Sequence, residues 1–147
     1  MTGTIVVGVD GSPASVKALR WALSRAMAEQ RTVTAVEVRV PVQLAPGTSY
    51  APAPYGTTPP ERHHVTLHDT VAAARAAVTD APKIVELQRR GEAGIELARA
   101  AHGAAMLVLG YHRHGRTTEF LFGRVTNECL RHTDVPVVLV PDSAHEL

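Results

Sequence analysis

The chain has 147 residues, of which 45% are hydrophobic and 20% charged, and a formal charge of +1. One globular domain spanning residues 1–147 is the expectation, and disorder as a global state is excluded. No basic run exceeds the pair Arg89 and Arg90, so the dense cationic face of a nucleic-acid-coating protein is missing.

Strand and helix signals alternate along the chain. Residues 4–9 (TIVVGV) form a β-branched run closing on Asp10, Gly11, Ser12 and Pro13. Ser12 suits an N-cap and Pro13 the first helical position, where a missing N–H costs nothing. Val16, Leu19, Leu23 and Ala26 follow at helical spacing, with Lys17, Arg20 and Arg25 toward water, which predicts a helix to about Gln30. Residues 33–40 (VTAVEVRV) alternate apolar Val36, Val38 and Val40 with polar Glu37 and Arg39, the period of a strand. Residues 41–60 hold six of the ten prolines and can be neither helix nor inner strand. A connection of about 20 residues is long for a compact domain and reads as a lid, a partner-binding loop or a disordered insertion.

Leu67, Val71, Ala74 and Val78 predict a second helix ending near Thr79, Asp80 and Pro82, and residues 84–87 a third strand. After the turn Gly91, Glu92, Ala93, Gly94, the spacing of Ile95, Ala98 and Ala101 gives a third helix. Residues 106–109 form a wholly apolar strand, the pattern of burial on both faces. Phe122, Val125, Cys129 and His132 mark a fourth helix, and residues 137–140 (VVLV), framed by Pro136 and Pro141, a last strand. Strands separated by helices run parallel through right-handed crossovers. The expected fold is therefore α/β, an open and mostly parallel five-stranded sheet with helices on both faces. In such a sheet the ligand crevice lies beyond the carboxyl ends of the strands where strand order reverses. Residues 10–12 and 110–124 are built for that place.

These segments carry a resemblance. The opening VVGVDGS (6–12), the turn GEAG (91–94), the strand MLVLG (106–110) and the closing VPVVLVP (135–141) resemble the matching segments of single-domain bacterial universal stress proteins over nearly the whole chain. The resemblance implies strand order 3-2-1-4-5, dimerisation through the last strand, and in one branch ATP over the crevice. ATP-binding members carry glycine, two residues, glycine, nine residues, glycine, then serine or threonine after the fourth strand. Glycines let backbone N–H groups approach phosphates, and a hydroxyl with a helix N-terminus completes the anion site. Counted from Gly110, the second glycine is replaced by Arg113, the third is kept as Gly123, and the hydroxyl position is Arg124, followed by Val125 and Thr126. An arginine either blocks the cradle or supplies a guanidinium to phosphate oxygens. By the same resemblance Asp10 lies near the ribose and any metal, and Val38 is the strand-end residue whose backbone reads the adenine edge.

Other constellations are weaker. His64 and His68, with His63 or Glu61, and the pair His112 and His114 have metal-ligand chemistry, although histidines on a solvated helix face are usually incidental. Cys129, the only cysteine, reads as a small core residue. No Gly-Lys-Ser/Thr phosphate loop, no GxGxxG after the first strand and no recognisable triad is present. With that single cysteine, no charged-then-apolar leader and no apolar stretch of roughly 20 residues, the cytoplasm is the expected compartment and a membrane partner is not expected. The expected function is a regulatory module that binds an adenine nucleotide, ATP with magnesium, through Asp10, Val38, Gly110, Arg113, Gly123, Arg124, Val125 and Thr126. The alternative is an ATP-independent dimeric interaction module with a degenerate site. Either would form a homodimer through residues 137–140. Between residues 110 and 131 four arginines face two glutamates, so the positive excess gathers at the crevice.

Overall fold

The computed structural model describes residues 3–39, 66–111 and 123–142. The Pro-rich segment 41–60, Phe122, Arg113 and the histidines at 63, 64, 112 and 114 lie outside the described residues. Nine elements alternate as expected: β1 (Ile5–Val9), α1 (Pro13–Glu29), β2 (Val33–Arg39), α2 (Leu67–Ala76), β3 (Ile84–Arg90), α3 (Ala93–Ala100), β4 (Met106–Tyr111), α4 (Arg124–His132) and β5 (Val137–Pro141). They build one sheet, ordered β3-β2-β1-β4-β5, with every neighbouring pair parallel.

Two cores flank the sheet. On one face Ile5, Val7, Val9, Val33, Ala35 and Val108 pack against α1 and α2; on the other Val6, Val36, Leu107 and Leu109 pack against α3 and α4. This two-sided burial explains the unbroken apolar runs of β1 and β4. Helix α1 starts where the sequence directs: Ser12 Oγ accepts the Ser15 N–H at 3.2 Å, and Pro13 occupies the first turn. It ends on Gln30 in the left-handed region at φ 55°.

Three local expectations change. Lys17 turns back instead of toward water, and its ammonium donates to the Asp142 carbonyl, tying α1 to the end of β5. Glu37 is buried at 7% exposure, because α1 and α2 cover that face, and it accepts from the Gln88 side chain at 3.2 Å. Strand β3 runs three residues past Leu87, through Gln88, Arg89 and Arg90.

Candidate functional site

The chain passes from β1 to β2 on one side and, after β3, crosses to β4 on the other, so the order reverses between β1 and β4. Their carboxyl ends open there into a cleft of about 130 Å³. In a parallel sheet each helix begins where its strand ends, so the N-termini of α1, α3 and α4 meet at this edge. Ser12 and Ser15 come from α1, Ala93 from α3, and Val125 and Thr126 from α4. The partial positive charge of helix N-termini and their free N–H groups favour an anion.

The sequence-derived residues fall as follows. Asp10, Val38, Gly110, Val125 and Thr126 line the cleft, together with Gly8, Val9, Val36, Leu97 and Leu109. Gly123 is the N-cap of α4 and is not among the residues lining this cleft; a Cβ added there would meet no described atom within 4 Å. Arg124 instead lines a neighbouring depression of about 240 Å³, with Glu92, Gly94 and Glu128. Arg113 lies outside the described residues.

The two depressions share Ala93 and Val125 as a common wall. The larger depression was not foreseen from sequence. Its signal was the GEAG turn: a Cβ at Gly94 would collide with the Cβ of Glu128, so only glycine lets α3 approach α4 this closely.

Local hydrogen bonds hold the rim. Asp10 Oδ1 accepts the Ser12 N–H at 2.9 Å, fixing the turn after β1, and the Ser15 hydroxyl donates to the Ser12 carbonyl at 2.8 Å. Helix α4 buries Thr126 and Cys129, while Val125 is 39% exposed because it faces the cleft. Cys129 Sγ lies 3.6 Å from the Gly94 carbonyl, and burial pushes its thiol up to about 11. A thiol so protonated is a packing residue and not a nucleophile.

The described lining offers helix N-termini and one carboxylate, the donor types that an anion and a hard cation take. Asp10 supplies a carboxylate oxygen, the hard ligand magnesium takes alongside phosphate oxygens. Among the described residues no three His, Cys, Asp or Glu side chains gather to hold a metal ion, in this cleft or outside it. His68, read as half of a ligand pair, has its Nδ1 3.1 Å from Glu86.

A model of the universal stress protein family matches residues 1–141. The chain belongs to this family. A universal stress protein of Mycobacterium bovis is 31% identical over 153 residues, covering 94% of this chain and 48% of that relative. One from Mycobacterium tuberculosis is 29% identical over 140 residues, covering 93% and 47%. The chain thus spans about half the length of the curated relatives it matches. Among solved structures, a universal stress protein in complex with cAMP has TM-score 0.67 and 25% identity, over 97% of this chain and 98% of that one. An Archaeoglobus fulgidus member in complex with dAMP has TM-score 0.59 at 20% identity, over 95% and 98%; that likeness bears on the fold. No helix among the described residues is long and apolar enough to cross a membrane.

Proposed function

We propose that this universal stress protein is a regulatory module that binds an adenine nucleotide in the cleft between the ends of β1 and β4. The observation that carries the reading is the convergence of three helix N-termini on one cleft with Asp10 at its rim. The cAMP complex of a family member, 25% identical, supports the ligand class. ATP with magnesium is the form the resemblance implies. In this reading Asp10 serves the ribose and metal, Val38 the base, and Gly110, Gly123, Val125 and Thr126 the phosphates, with Arg113 and Arg124 as added cationic contacts.

A ligand that binds only the folded state must stabilise it, by about 2.7 kcal/mol at a hundredfold excess over Kd. The expected melting-temperature rise is roughly 5–10 °C for a chain of this size. No rise at millimolar ATP and magnesium, nor with cAMP, defeats the reading.

A second reading rests on the placement of Arg124 in the neighbouring depression, beside two carboxylates. There the phosphate cradle is degenerate and the protein acts as an ATP-independent dimeric interaction module, paired through β5. The double variant Arg113→Gly, Arg124→Ser separates the two. ATP binding that appears only in the variant supports a degenerate site; binding by the wild type rejects it.

A further inference from the structure

We propose that Arg89 is a ligand-contacting residue of the cleft, reaching from strand β3 across Val38 to lie against the face of a purine base. The proposal rests on the nucleotide reading above and adds a residue that the family pattern does not supply.

Strand register places it. Val38 pairs with Arg89, and Val36 with Leu87. Val36, Val38 and Leu87 all pack in the core beneath α3 and α4, so this face of β2 and β3 is the cleft face. Residues alternate between faces along a strand, which puts Arg89, two beyond Leu87, on that same face. Val38 lines the cleft, and Arg89 stands one strand farther out, about 4.8 Å away at the backbone. That gap is well within the reach of an arginine side chain.

Arg39 and Arg90 form the next pair in the register, and they lie on the opposite face with Glu37 and Gln88. Three arginines therefore fall in the last two register pairs of β2 and β3, yet only one is on the cleft side. Arg89 is exposed and makes no ion pair or hydrogen bond through its side chain among the described residues. Nothing described there holds its guanidinium away from a ligand. A planar, weakly hydrated guanidinium stacks on aromatic faces, which an ammonium does not reproduce. With half-buried Val38 as the apolar floor, the Arg89 guanidinium swung over it would close a slot for a flat base whose phosphate end points toward α4.

The test is calorimetric titration of the full chain with ATP, with cAMP and with inorganic tripolyphosphate. Arg89→Ala is expected to weaken both nucleotides roughly tenfold and to leave tripolyphosphate unchanged, since the contact is with the base. Arg89→Lys is expected to recover little of the loss. Arg90→Ala, the same charge deletion on the other face, is expected to stay within about twofold. Unchanged melting temperatures show that both exposed positions are silent for folding. Equal losses in Arg89→Ala and Arg90→Ala, or a matching loss for tripolyphosphate, overturn the proposal in favour of a general field. A wild type that binds nucleotide while Arg89→Ala binds equally well overturns it alone. A wild type that binds neither nucleotide defeats the nucleotide reading and this inference with it.

Discussion

A methyl group added at Gly110 would drive into the Ala14 carbonyl oxygen, a backbone atom of the first turn of α1, whereas at Gly123 it would meet no described atom within 4 Å. Gly110 is thus required by packing of β4 against α1, whatever ligand the cleft takes. Gly110→Ala is expected to cost about 2 kcal/mol, the scale of overpacking a tight contact, read as a lower urea midpoint. Gly123→Ala, where the added methyl meets no described atom, is expected to leave that midpoint nearly unchanged and, on the nucleotide reading, to weaken nucleotide binding by narrowing the approach to the N-terminus of α4. Cys129 gives a pH signature. Its thiol is raised to about 11 in the folded state, from an ordinary value near 9, by burial first and by the neighbouring Glu128 carboxylate second. The folded chain then holds a proton that the unfolded chain releases, so this stability is complete below pH 9 and is lost as pH rises toward 11. Wild type should lose more stability across that window than Cys129→Ala, and its thiol should resist alkylation until the chain unfolds.

At the scale of elements, helix α2 offers the cleanest cap. Thr66 Oγ1 accepts the Asp69 N–H at 3.1 Å, and Asp69 Oδ2 accepts the Thr66 N–H at 3.2 Å, a reciprocal capping box. These bonds with Thr66 hold the Asp69 carboxyl below its ordinary range. The folded state therefore favours the carboxylate, and its contribution is present above the ordinary aspartate range and lost as pH falls through the lowered value. Asp69→Asn should be less stable than wild type at neutral pH, and the gap should close as pH drops below about 4. Urea midpoints measured across that range check it. The same helix shows what was legible: Leu67, Val71 and Ala74 are buried as their spacing foretold. The rest of β3 was not, because an edge strand exposed at Gln88, Arg89 and Arg90 carries no apolar alternation. Glu37 misled for a related reason. Alternation marks it as solvated, and only the register that sets Gln88 beside it reveals a polar partner inside. The spacing of Phe122, Val125, Cys129 and His132 marks α4 in the sequence but does not give its buried side, which among the described residues runs through Thr126 and Cys129, while Val125 lines the cleft. An apolar residue exposed in a cleft looks the same in sequence as one in a core.

For the whole molecule, alternation of strands with helices made the parallel sheet readable, and the resemblance supplied its order. The unpaired edges are a separate matter. Strand β5 ends the sheet beside β4, and its five residues are all half-buried. An apolar edge with free backbone groups is prone to pairing with another chain, and a two-fold axis closes such pairing. The ladder itself specifies how. Leu107 N–H donates to the Pro136 carbonyl and Asp142 N–H to the Tyr111 carbonyl. In a parallel ladder of this register the even-numbered β5 residues turn their backbone toward β4, leaving Val137 and Leu139 facing outward. Pro141 faces outward too but has no N–H to give. An antiparallel pair centred on Leu139 satisfies every outward donor: Leu139 of each copy bonds to its twin, and each Val137 N–H meets the other Pro141 carbonyl. Leu139→Pro deletes the central outward donor without touching the β4 ladder, a position where an edge strand tolerates proline. Leu139→Ala removes the same side chain and keeps the donor. Light scattering at micromolar concentration should give a dimer for wild type and Leu139→Ala and a folded monomer for Leu139→Pro. Val138→Pro should instead unfold the edge, since its N–H belongs to the β4 ladder. A wild type of monomer mass, or a Leu139→Pro variant that stays dimeric, would show that β5 does not join two copies.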